Sequence, residues 1–185
     1  MNIETVIVAL FASMITSAIL TPLVRRASLS LGLLDRPDRS RKNHREAVPR
    51  IGGLAIYAAF LVPLIVLFFA GRGAEGHLGP DPKAFLGLLA GGTLIFLMGF
   101  VDDIRNLGAY SKLLVQLAAA AIAWFAGFRI TLITSPLSGS VELGFLSLPL
   151  TLLWVIGITN AINLIDGLDG VACGIMVFAT GTTLI

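Results

Sequence analysis

Charge is what this sequence has least of. Only 13% of its 185 residues are Asp, Glu, Lys or Arg, while 56% are hydrophobic. Ordinary soluble domains carry about 25% charged and roughly 45–50% apolar residues. A soluble fold of this length must cover itself with polar surface, so the shortage excludes a soluble protein with an oversized core. Cysteine is nearly absent. The single Cys173 cannot form an internal disulfide, says little about redox compartment, and inside an apolar run is expected to pack as a small hydrophobe. The two histidines, His44 and His77, are too few and too far apart for a zinc site. Net charge is only +2, and no nucleic acid is expected as a partner.

Long apolar runs take the place of charge. A membrane-crossing helix needs about 20 predominantly apolar residues. Six stretches approach that length: 3–24, 51–70, 84–101, 112–128, 145–160 and 171–185. The sequence therefore predicts an all-α integral membrane protein, a polytopic transmembrane helix bundle forming one domain over 1–185. The first run does not read as a signal peptide. Glu4 is the only charge ahead of it, and Arg25 and Arg26 follow it, which is the order of a retained helix with its N-terminus outside. On that orientation the loops 25–50, 102–112 and 160–170 are cytoplasmic. Ten of the 13 basic residues lie in them, eight in the first and two in the second, against Arg72, Lys83 and Arg129 outside. That is a strong positive-inside bias. The bland explanation of the basic loop is that it sets topology or attracts anionic headgroups; this leaves room for a second role. Of the outside segments, 71–83 is rich in Gly and Pro and 129–145 suits a small hairpin. Neither suggests chemistry.

Acidic residues beside hydrocarbon are costly, about 2.5–3.5 kcal/mol each at a helix centre, and topology requires none. Each acid at the inner end of a span is therefore a candidate site residue. Asp102 and Asp103 end the third span in "GFVDDIRNLGAYSK". Adjacent carboxylates can hold a divalent cation between oxygen ligands and phosphates, or one can act as a base. Their bland reading is a solvated helix end paired with Arg105 or Lys112. In "NAINLIDGLDG", Asn160, Asn163, Asp166 and Asp169 recur every three residues, a slowly drifting polar stripe at 3.6 residues per turn. Two amides and two carboxylates suit a nucleotide and a metal; the bland reading is a polar seam between helices. The loop "LLDRPDRSRKNHREAVPRIGG" sets Arg45 and Arg50 near His44. Its guanidinium density suits phosphates, whereas a lone loop histidine is more often incidental. The topology puts all three features on one face. Phosphoryl transfer from a water-soluble donor to a membrane-embedded acceptor, with a divalent metal offsetting charge, fits that placement.

These motifs resemble the polyprenyl-phosphate N-acetylhexosamine-1-phosphate transferases. "VDDIRNL" is similar to their Asp-Asp motif, and "NAINLIDGLDG" to their Asn-x-x-Asn-x-x-Asp-Gly-x-x-Gly motif. "DRPDRSRKNHREAVPRIGG" resembles the first cytoplasmic loop of the branch that uses UDP-N-acetylglucosamine. The phospho-N-acetylmuramoyl-pentapeptide branch tends to Thr-Pro-Thr-Met-Gly-Gly, where this chain has Pro49-Arg50-Ile51-Gly52-Gly53. The resemblance implies transfer of a sugar 1-phosphate from a UDP-N-acetylhexosamine to undecaprenyl (polyprenyl) phosphate, with release of UMP, at the cytoplasmic face of the bacterial inner membrane. It implies magnesium or manganese, held by Asp102, Asp103 and Asp166. Asp102 and Asp103 would be catalytic, Asn160, Asn163, Asp166 and Asp169 would bind nucleotide, and His44, Arg45 and Arg50 would touch phosphate or substrate. A homodimer is a further expectation.

Such enzymes have about ten or eleven spans, a Gly-Asp-x-Gly-Ser segment and a His-rich sugar-recognising loop. Neither motif occurs here, and the chain stops inside an apolar run at Ile185. The expectation is thus an N-terminal half that is inactive alone, and its rival is a non-catalytic membrane subunit. A transporter is the rival of another class, but these acids lie at one face and no inverted repeat is evident. The CDP-lipid transferase pattern fails at "DGVAC", which lacks the Arg and the downstream Asp. Prenyl-synthase Asp-Asp-x-x-Asp fails because Asn106 stands three after Asp103.

Overall fold

The computed structural model describes residues 3–35, 48–69, 82–135, 139–166 and 170–183. Six α-helices carry these residues: α1 Ile3–Leu31, α2 Gly53–Phe69, α3 Pro82–Arg105, α4 Ala109–Phe125, α5 Ser147–Ile165 and α6 Val171–Thr183. The fold is a polytopic all-α membrane bundle. By length and composition α1, α3 and the stretch Gly144–Ile165 can cross a bilayer, while α2, α4 and α6 are shorter apolar helices. Helix pairs α1/α2, α3/α4 and α4/α5 form the main packing, and α6 touches the rest chiefly through α5. Cys173 is accordingly exposed on α6 and not packed as the sequence suggested.

Several helices outrun the apolar stretches that announce them. α1 continues past Val24 to Leu31, α3 carries Asp102 and Asp103 on its last turn, and α5 runs on through Asn160 and Asn163. Apolarity measures the part matched to hydrocarbon, whereas the helical ladder continues until a residue breaks it. Gly32 breaks α1. At φ 69° its N–H reaches the carbonyl of Leu29, and the N–H of Leu33 reaches that of Ser28 at 3.0 Å. These two bonds form a Schellman cap. The buried Ser28 hydroxyl donates back to the Leu33 carbonyl. The chain then enters a short ribbon, β1 Leu34–Asp35 against β2 Val48–Pro49, antiparallel with Leu34 opposite Pro49. The Arg50 N–H also donates to the Leu33 carbonyl, at 3.1 Å. The end of α1 thereby positions Arg50 at the foot of α2. His44 and Arg45, which the sequence placed in this loop, lie outside the described residues.

α3 and α4 pack as a close hairpin because α3 offers glycines four residues apart. A Cβ on Gly87 would lie 2.0 Å from the Ala126 Cβ, and one on Gly91 would lie 3.2 Å from the Ala119 carbonyl oxygen. This is the small-residue contact that brings membrane helices together. Gly87→Leu should therefore destabilise the bundle by about 1–3 kcal/mol through overpacking. Gly92→Ala, where a Cβ meets open space, should be neutral or stabilising. Unfolding titrations of the two variants in mixed micelles check the contrast.

At the far end, α4 stops at Gly127 (φ 112°). There the Trp124 indole donates to the Ser147 hydroxyl at 3.3 Å, and the Ile130 N–H donates to the Thr151 hydroxyl at 3.0 Å. Arg129 stacks over Trp124 at 4.2 Å. The hairpin expected in 129–145 is present as β3 Leu132–Ser135 and β4 Gly139–Glu142.

Candidate functional site

The start of α2 and the ends of α3 and α5 meet at one end of the bundle. Between them is a cavity of about 200 Å³, lined by Gly53 and Leu54 of α2, by Phe96, Gly99, Phe100, Asp102 and Asp103 of α3, and by Asn163 of α5. Its apolar wall is held by a stacked pair, Tyr57 on Phe96 with centroids 3.9 Å apart. The Thr93 hydroxyl donates to the Leu89 carbonyl, so the Tyr57 hydroxyl donates to Thr93, at 2.6 Å. A larger cavity of about 320 Å³ lies at the opposite end, among Trp124, Arg129, Glu142 and Ser147. It contains none of the motif residues.

The two adjacent carboxylates are placed differently. Asp102 braces the turn between α3 and α4. One of its oxygens accepts the Leu107 N–H at 2.7 Å and the other pairs with Lys112 at 2.6 Å. Asn106, between them, adopts a left-handed conformation (φ 50°) that Asn tolerates better than most residues. Part of the bland reading thus holds for Asp102, with Lys112 as its partner. Asp103 enters no ion pair among the described residues. The Arg50 guanidinium donates to its backbone carbonyl at 3.4 Å; its carboxylate is partly buried, and among the described residues the charged groups near it are Asp102, Arg50, Lys112 and, most weakly, Asp166. Residues from four parts of the sequence therefore share one electrostatic neighbourhood.

The stripe on α5 is divided as well. Asn163 faces the cavity. Asp166 caps the helix, with its N–H on the Ile162 carbonyl at 3.0 Å and its side chain exposed. Asn160 is occupied elsewhere. Its amide nitrogen donates to Gln116 Oε1 and to the Ile156 carbonyl, both at 2.9 Å, and its oxygen accepts from Gln116 Nε2 at 3.3 Å. Asp169 lies outside the described residues. Sequence reading passed over Gln116, although a lone amide within the apolar run of α4 is the signal that marks intramembrane polar residues.

Among the described residues, no three Asp, Glu, His or Cys side chains form a ready-made metal cage. Magnesium does not need one, because it is commonly held by one or two carboxylates together with substrate phosphates and water. Asp103 and Asp166 offer hard oxygen donors of that kind, and both oxygens of Asp102 already have partners.

Residues 85–185 match glycosyl transferase family 4. The chain is 36% identical over 178 residues to a probable undecaprenyl-phosphate N-acetylglucosaminyl 1-phosphate transferase of Bacillus subtilis, covering 96% of this chain and 47% of that protein. It is 31% identical to an undecaprenyl-phosphate alpha-N-acetylglucosaminyl 1-phosphate transferase of Thermotoga maritima, covering 90% and 47%. It is 30% identical to a phospho-N-acetylmuramoyl-pentapeptide-transferase of Halalkalibacterium halodurans, covering 96% and 56%. The chain spans about half the length of the curated relatives it matches. No solved structure matches.

Proposed function

Because this chain belongs to glycosyl transferase family 4, we propose that its protein transfers N-acetylglucosamine 1-phosphate from UDP-N-acetylglucosamine to undecaprenyl phosphate. An oxygen of the lipid phosphate attacks the sugar-bearing phosphorus, the bond to the second phosphate breaks, and UMP leaves. The observation that carries this reading is that Asp102, Asp103 and Asn163, from distant parts of the sequence, line one cavity at a helix-bundle end, with the Arg50 guanidinium on the Asp103 carbonyl and Asp166 three residues beyond Asn163. A lipid-anchored acceptor reaches such a place from the bilayer, and a soluble donor reaches it from water.

In this reading Arg50 draws phosphate toward the mouth. Asp103 takes the proton of the incoming lipid phosphate or orients it. Asn163 and Asp166 hold the nucleotide side. Asp102 and Lys112 keep the α3–α4 turn in shape beneath them. Magnesium or manganese, when bound by Asp103 and Asp166, neutralises phosphate charge. The positive-inside bias supports a bacterial inner-membrane protein with its N-terminus outside and this site on the cytoplasmic face. The higher identity to the N-acetylglucosaminyl relative than to the pentapeptide one favours the former donor.

The test is UMP release by the full-length protein in native-like membranes. Release is expected with UDP-N-acetylglucosamine only when undecaprenyl phosphate and magnesium are both present. Release with UDP-N-acetylmuramoyl-pentapeptide instead would reassign the donor. No release with any UDP-hexosamine from folded protein would overturn the transferase reading and return a transporter to the front.

A further inference from the structure

The amide pair Gln116–Asn160 sits one turn of α5 before Asn163, and neither residue lines the cavity. Gln116 is buried in α4, whose neighbours along the same face are the buried Ala119 and Ala120. It meets Asn160 of α5 head to head, each amide donating to the other's oxygen, at 2.9 and 3.3 Å. The second Asn160 proton returns to its own helix, at the Ile156 carbonyl. The donors and the acceptor oxygen of Asn160 are therefore all in use, and none is aimed at the cavity. Such reciprocal bonding is sensitive to axial slide and to rotation, because both bonds are lost together once one helix moves by about the 1.5 Å rise of a single residue.

The consequence lies one turn further along α5. Asn163 and Asp166 follow Asn160 at intervals of three residues, so the rotation of α5 at Asn160 sets which way both of them face. The other side of the cavity is anchored to α4 independently, through the Gly87 and Gly91 contacts and the Lys112–Asp102 pair. α4 is thus the frame to which both halves of the site are fixed. Among the described residues, two side chains of α4 hold α5 by hydrogen bonds: Trp124, on Ser147 at the far end of α5, and Gln116, which is the one close to the site.

We propose that Gln116 is a positioning residue for the transfer reaction: through its paired amide bonds to Asn160 it sets the rotation of α5 near the site, and so the placing of Asn163 in the Asp103 cavity and of Asp166 beyond it. This rests on the transferase reading above. It also assigns Asn160 to holding the helix and not to touching the nucleotide.

The test uses the full-length protein in membranes and compares Gln116→Asn, Asn160→Gln and the exchanged pair Gln116→Asn/Asn160→Gln. Each single change alters the combined reach of the two side chains by one methylene; the exchanged pair restores it. Breaking a buried amide pair leaves unsatisfied groups, and roughly 10- to 100-fold loss in kcat/KM is expected of each single variant. The loss should fall largely on KM for the UDP-sugar and spare KM for the lipid phosphate. The exchanged pair should recover most of it.

A nucleotide contact by Asn160 itself predicts that both Asn160→Gln chains stay impaired, which would overturn the proposal. So would single variants with unchanged kinetics. A purely stabilising role would lower resistance to denaturant without moving the KM split, and that result would overturn it too. Wild type without activity on any UDP-hexosamine would instead sink the transferase reading. Denaturant titration still reads the clasp in that case: additive losses of stability across the Gln116→Leu/Asn160→Leu cycle would overturn it.

Discussion

Asp103→Asn is expected to lower UMP release on the order of 10²- to 10⁴-fold, the range a positioned acid or base supplies, with little change in stability. Its neighbour should behave differently. The Asp102 oxygens receive the Leu107 N–H and the Lys112 ammonium, and Asn at that position keeps an acceptor for the first while losing the charge for the second. Asp102→Asn should therefore cost less activity than Asp103→Asn and more resistance to denaturant. Paired measurements of kcat/KM and of unfolding midpoint on the two variants check this. Equal losses of activity with equal stability would mean that the two carboxylates share one chemical role and that the Lys112 pair is incidental. The physical basis is asymmetry: both carboxylates line the cavity, but adjacent residues on a helix point about 100° apart, and it is Asp102 that turns toward the Leu107 N–H and Lys112.

Asp166→Asn should raise the magnesium concentration needed for half-maximal activity by about 10- to 100-fold, the usual cost of weakening a metal's oxygen environment. Removing divalent metal with a chelator should abolish UMP release, and added magnesium should restore it. Asp166 is exposed at the end of α5, three residues beyond Asn163 of the cavity lining. A cation shared with substrate phosphates would offset the negative charge of carboxylate and phosphate together. An Asp166→Asn variant with a normal magnesium requirement and a raised KM for the UDP-sugar would place Asp166 on the nucleotide alone.

Much of this was legible without coordinates. The shortage of charge and the apolar runs determined a polytopic helical membrane protein, because backbone polar groups in lipid must be satisfied within the helix itself. The Asp-Asp and Asn-x-x-Asn-x-x-Asp segments pointed to the candidate site, since acids beside hydrocarbon are costly and topology requires none. Helix ends were less legible: nothing in an apolar count reveals that α1 persists to Leu31 or α5 to Ile165. The end of α1 depends on the cap at Gly32.

The division of labour within each motif was not legible at all. In the sequence Asp102 and Asp103 are equivalent, and Asn160 and Asn163 are equivalent. Only the packed bundle ties Asp102, which also lines the cavity, to Lys112, takes Asn160 away to Gln116, and puts Asn163 at the cavity beside Asp103. The reason is geometric. A motif states which groups are present along one strand of chain, but which of them are spent depends on partners 10 and 44 residues away. Those partners come within hydrogen-bond reach only when α3, α4 and α5 close against one another.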